Sequence, residues 1–125
     1  MNAPTMPVRD LGDLAQRLRA FAAERDWEPF HTPKNLASAL IVEAAELLEH
    51  FQWLGGEQSA QLAPEQRAQV ALEMADVLLY LVRLADRLDI DLLAAATRKL
   101  EINAIKYPAA LARGTSAKYT DLGKP

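Results

Sequence analysis

A chain of 125 residues, half of them hydrophobic and a quarter charged, is long enough for one domain with one modest core. Its formal net charge of −3 argues against general binding of duplex nucleic acid, and its lack of cysteine excludes disulfide scaffolds, thiol nucleophiles and thiolate-bound zinc. Abundant Ala and Leu with few aromatics favour helix over sheet.

Residues 1–7 carry Pro4 and Pro7 and predict a loose arm. They show no basic run followed by an apolar one, so no signal peptide is expected there. Leu11, Leu14, Leu18 and Phe21 then recur at helical spacing and predict an amphipathic helix over residues 8–25. The segment Asp26 to Pro33, with two prolines and two aromatics, reads as an ordered connector. Thr32 followed by Pro33 is a strong helix start, a hydroxyl cap and then proline at the first helical position. A second helix is expected over 33–53, ended by Gly55 and Gly56. A polar loop follows to Ala63, and Pro64 opens a third helix reaching residue 88. A fourth, capped by Asp89 or Asp91, runs to Lys106 and is closed by Pro108. Residues 109–125 predict an irregular tail. The whole reads as a single all-α domain, a bundle of four to five helices.

The second and third helices are apolar nearly all round. Leu36, Leu40, Leu47 and Phe51 form one stripe, and Val70, Met74, Val77, Leu81, Leu84 and Leu88 form another, with further Leu, Ile and Val beside both. Four helices can hardly cover two such surfaces, so self-association through them is expected. Acids interrupt every apolar stretch, so no membrane span or membrane partner is expected. The cysteine-free composition fits a reducing cytoplasm.

Those same apolar helices carry Glu43 and Glu46, and Glu73 and Asp76, each pair one turn apart on one helix face. A single such pair is ordinarily a surface feature with a base four residues away. Here the positions four after Glu43, Glu46 and Asp76 hold Leu47, His50 and Tyr80. Acids buried among Leu, Val and Ala require a countercharge. Four carboxylates with no nitrogen donor form a hard-cation set, suited to Mg²⁺ with Mn²⁺ as the alternative. A ferritin-like di-iron site needs Glu-x-x-His pairs, and neither His31 nor His50 stands three residues after a Glu.

The ordered set Glu43-x-x-Glu46 and Glu73-x-x-Asp76 resembles the signature of the all-α nucleoside triphosphate pyrophosphohydrolases, the MazG-like group. Phe21 to His31, Phe51-Gln-Trp53, Asp76 to Leu81, Tyr107-Pro108 and Lys118-Tyr119-Thr120 resemble its dCTP pyrophosphatase branch more closely. The resemblance spans the chain from about Leu11 onward. It implies Mg²⁺-dependent hydrolysis of dCTP or a modified dCTP to the monophosphate and pyrophosphate, clearing unwanted nucleotides from the pool. It also implies a homotetramer built from dimers, with Glu43, Glu46, Glu73 and Asp76 as metal ligands and catalytic groups. Glu46 is the candidate for orienting or deprotonating the attacking water. Trp27, Phe30, His31, Trp53 and Tyr80 are candidates for holding the base and sugar. Lys99, Asn103 and Lys106 share a face of the fourth helix and, with Arg113, Lys118 and Tyr119, are candidates for the phosphates. Two departures stand out. The linker between the acidic pairs is short. Close relatives in the dCTP branch can carry a histidine one turn before the phenylalanine, where this chain has Leu18, so a looser or differently built base selection is expected. The competing reading is a non-catalytic helical oligomerisation or adaptor module, which expects these acids to be paired with bases or exposed to solvent.

Overall fold

The computed structural model describes residues 5–124, and all regular structure among them is helical, in keeping with the expected all-α class. The helices are α1 (Leu11–Glu24), α2 (Pro33–Glu49), α3 (Gly56–Ser59), α4 (Pro64–Arg87), α5 (Leu92–Lys106) and α6 (Ala109–Ala112). Short 3-10 turns occupy Glu28–Phe30 and Tyr119–Asp121. One compact unit ends at Asp89 and a second begins at Ile90.

Residues 1–4 of the expected arm lie outside the described residues. Met6 and Pro7 are tied down, because both their carbonyls accept hydrogen bonds from the Arg17 guanidinium. Helix α1 starts at Leu11 and not at Val8, since the extended Asp10 caps it and accepts from the Asp13 N–H at 2.7 Å. Its end shapes the site. Asp26 takes φ of 52°, the Asp26 N–H reaches Ala23 O at 3.2 Å, and the Trp27 N–H reaches Ala22 O at 2.9 Å. This double closure turns the chain sharply back at a residue type that tolerates the left-handed region. It sets the Trp27 ring edge-on to Phe21, with centroids 5.8 Å apart.

Thr32 caps α2 as expected, accepting from the Asn35 N–H at 3.2 Å. Helix α2 stops at Glu49, short of the expected Trp53, and the chain continues in turns through residues 51–53. Gly55 does not end α2. It precedes α3, a single helical turn inside the expected loop, and its N–H donates to the Gln58 Oε1 at 3.0 Å. Asp91 is the residue that caps α5, while Asp89 sits at φ of 55° in the preceding turn. The expected irregular tail contains α6 and the second 3-10 turn.

Within the first unit, α1 and α2 both pack on α4. The buried apolar side chains are Leu14 and Ala22 of α1, Leu36 of α2, and Val70, Val82 and Ala85 of α4. The expected α4 stripe is therefore only partly right: Met74, Leu81 and Leu88 are exposed, and Val82 and Ala85 point inward instead. Ile41, Val42, Leu48 and Leu72 also remain more than half exposed.

Candidate active site

Packing of α2 on α4 brings the two acidic helix faces together. One carboxylate oxygen each from Glu43, Glu73 and Asp76 lies within 4.8 Å of the other two, and all three side chains are half-buried. Among the described residues, no Lys, Arg or His forms an ion pair with them or with Glu46. Glu43 Oε2 and Glu73 Oε2 are enclosed without a hydrogen-bond partner. Glu46, one turn further along α2, lies outside the group of three. The neighbouring Glu46 carboxyl is the first of the causes that push the Glu43 carboxyl up to about 7, followed by burial and by the negative charges of Asp76 and Glu73. An all-oxygen set with two unsatisfied buried acceptors and no organic countercharge fits a hard divalent cation.

Next to this cluster lies a cavity of about 270 Å³. Leu18 and Phe21 of α1, Trp27 and His31 of the connector, and Tyr80 of α4 supply an apolar and aromatic lining. Asp76 lines it too, so a single carboxylate belongs both to the acidic cluster and to the cavity wall. Trp27 and His31 meet edge-on, with ring centroids 6.0 Å apart. The periodicity explains the shared wall: Asp76 and Tyr80 are one turn apart on α4 and face the same way.

Three of the five residues expected to hold base and sugar are brought together here, namely Trp27, His31 and Tyr80. Phe30 and Trp53 are not. Phe30 is 67% exposed on the 3-10 turn, and Trp53 is 87% exposed because α2 ends before reaching it. In the second unit, Lys99 is exposed, while Asn103 and Lys106 are half-buried on α5. The Lys106 ammonium stands 4.8 Å from the centre of the Tyr119 ring, which meets Tyr107 edge-on at 6.2 Å. Arg113 and Lys118 are exposed.

Sequence reading missed Arg83, which also lines the cavity and is only 4% exposed. Its Nη1 donates to Asp86 Oδ2 at 3.2 Å and its Nε to His31 Nδ1 at 3.3 Å. Asp86 in turn receives two hydrogen bonds from Arg19, at 2.6 and 3.1 Å. Those bonds hold the Asp86 carboxyl below the usual carboxylate range against the opposing effect of burial. Burial, then the charges of Arg83 and Arg87, hold the His31 ring below the usual imidazole range. The available signal was an arginine set directly between Val82 and Leu84 on an apolar helix.

The sequence profile of the MazG-like family matches residues 39–122. The chain is similar to dCTP pyrophosphatase 1 of Homo sapiens, 49% identical over 118 residues that cover 93% of this chain and 69% of that protein. It is 46% identical to dCTP pyrophosphatase 1 of Mus musculus over the same shares of each. Its fold is similar to the crystal structure of a pyrophosphatase from Archaeoglobus fulgidus DSM 4304. The TM-score is 0.75 at 38% identity, covering 85% of this chain and 99% of that one.

Proposed function

The chain belongs to the MazG-like family, and from that premise we propose that it is a Mg²⁺-dependent pyrophosphohydrolase that converts dCTP or a modified dCTP to the monophosphate and pyrophosphate. One observation carries the reading. Asp76 is at once a member of the carboxylate cluster and a wall of the aromatic cavity, so a metal-held phosphate and a ring-bound base fit within one ligand. The adaptor reading expects acids that are paired or solvated, and these are half-buried and unpaired among the described residues.

Glu43, Glu73 and Asp76 would hold the cation, with Glu46 beside them. Bound Mg²⁺ supplies positive charge for the triphosphate and lowers the pKa of water. Trp27 offers a ring face and edge for the base, and Tyr80 a hydroxyl near the sugar. Glu46 stands beside the cation set without being one of its three converging carboxylates, which makes it the candidate to receive a proton leaving the attacking water. Lys99, Asn103, Lys106, Lys118 and Tyr119 are further proposed substrate contacts on the strength of the resemblance.

The exposed Ile41, Val42, Leu48 and Leu72 support assembly with further copies of this chain, a dimer or a tetramer built from dimers. No helix among the described residues is long and apolar enough to cross a membrane. With no cysteine in the chain, a cytoplasmic location is the consistent proposal.

The test is a panel of nucleoside triphosphates with Mg²⁺, read by pyrophosphate release. Turnover of dCTP that disappears with EDTA and in a folded Glu46→Gln variant is expected. Full activity in that variant, or no pyrophosphate from any triphosphate, overturns the reading.

A further inference from the structure

Arg83 is not explained by the proposed metal chemistry. It lies two turns along α4 from Asp76, on the cavity wall, and is almost wholly enclosed. A guanidinium only donates hydrogen bonds. Its contact with His31 at 3.3 Å therefore makes Nδ1 the acceptor and places the proton of the neutral ring on Nε2. Nη1 is taken by Asp86. Nη2 is sealed from solvent and has no acceptor among the described residues. Leaving a charged donor in that condition is unfavourable unless an incoming group relieves it. Arg83 lines the cavity with Nε and Nη1 already engaged, so Nη2 is the nitrogen left for a group bound there. The remaining polar lining is Asp76, committed to the acidic cluster, the Trp27 side chain, whose indole N–H only donates, and the Tyr80 hydroxyl, which serves either as donor or acceptor.

We propose that Arg83 and His31 are the base-reading pair of this cavity, a donor-only edge that selects cytosine, whose adjacent O2 and N3 both accept, over uracil and thymine, whose N3 carries a hydrogen. Leu18 and Phe21 pack the cavity opposite α4 and add no competing polar group. Arg83 acts in two ways, donating through Nη2 and fixing His31 as the Nε2–H tautomer. The inference rests on the reading of the cavity as a nucleotide site, and its test separates the two.

The protein with Mg²⁺ is assayed on dCTP, dTTP, dUTP, dGTP and 3-deaza-dCTP, in which a C–H replaces N3. The same bases are titrated as monophosphates by calorimetry. Wild type should prefer dCTP to dTTP and to 3-deaza-dCTP by roughly 10- to 100-fold in kcat/KM. In Arg83→Met the dCTP-to-dTTP ratio should collapse toward one, and replacing N3 should bring little further loss. A purely structural role would lower both substrates together and keep the ratio. Arg83→Lys, which keeps the charge without the fork, should be intermediate, and it serves if the Met variant does not fold. Long-range ¹H–¹⁵N correlation of the histidines should show an Nε2–H tautomer for His31 that is lost in Arg83→Met. An unchanged base ratio in a folded variant, equal use of dCTP and 3-deaza-dCTP by wild type, or preference for dGTP overturns the proposal. Binding of dCMP with the expected base preference but no hydrolysis would instead sink the enzymatic reading and leave the base-reading pair standing. No preference among the monophosphates would remove the pair.

Discussion

Two stretches of α4 treat charge in opposite ways. Around Glu73 and Asp76, helix packing gathers carboxylates with no base among the described residues to meet them, and the crowding pushes the Glu43 carboxyl up to about 7. Around Arg83 and Asp86, two turns on, the charges answer one another: Arg19 to Asp86, Asp86 to Arg83, Arg83 to His31. The first arrangement is costly for a fold by itself and is intelligible as a place for a ligand. The second holds the wall of the cavity in place and leaves one donor over. Unmatched charge therefore marks where chemistry is expected, and matched charge marks what supports it.

The contrast is broken most forcefully at the acidic end. Asp76→Asn should lower pyrophosphate release by about a thousandfold, because it alters both the cation set and the cavity wall. The same change should leave the metal-free protein melting at or above the wild-type temperature, since it removes a repelling charge. At the paired end the expectation reverses. Asp86→Asn deprives a 4%-exposed guanidinium of its counterion and should destabilise the protein by about 3 kcal/mol in urea melts. If Asp76→Asn destabilised as much as Asp86→Asn, the distinction between the two regions would be lost.

Titration sharpens the contrast without mutation. The Glu43 carboxyl sits at about 7 in the fold against a reference value of 4.5. Between those values the folded state holds a proton that the unfolded chain has released, so stability falls as pH rises through this window and levels off above it. Metal-free protein should accordingly show a declining Tm from about pH 4.5 to 7, and saturating Mg²⁺ should flatten or reverse the decline. A Tm that rises across the window in metal-free protein would contradict the crowding of the four acids.

Much of the acidic region was legible in the sequence because its signals are local. Thr32-Pro33 and Pro64 fix where α2 and α4 begin, and the i, i+3 spacing then fixes which face each acid takes. The helix ends were less legible. Leu47 and Phe51 continue the apolar period past Glu49, so the unwinding that leaves Trp53 exposed has no local warning. Asp26, the residue that turns Trp27 back toward Phe21, tolerates that conformation without demanding it, so it gives no signal of the kind a glycine there would. The paired region was invisible for a different reason. Arg83 and Asp86 look like an ordinary surface pair at i, i+3, whereas Arg19 and His31 are joined to them only by the packing of α1 and the connector on α4.

The smallest effect is expected at the outer member of the paired chain. Arg19 makes two hydrogen bonds to Asp86, one of 2.6 Å, yet its side chain is 55% exposed. An exposed partner gains little over water, and Asp86 keeps Arg83 when Arg19 is gone. Arg19→Met should therefore cost less than about 1 kcal/mol at neutral pH, well below Asp86→Asn. Its pH dependence gives the sharper check. The Arg19 hydrogen bond is the first cause of the lowered Asp86 pKa, so the stability it contributes is present above the reference value of 3.8 and is lost as pH falls through the folded value. Wild type and Arg19→Met should thus differ at neutral pH and converge once the solution is more acidic than the Asp86 carboxyl in the wild-type fold. Curves that stay parallel through that range would mean that Arg19 acts by packing its stem and not through its charge.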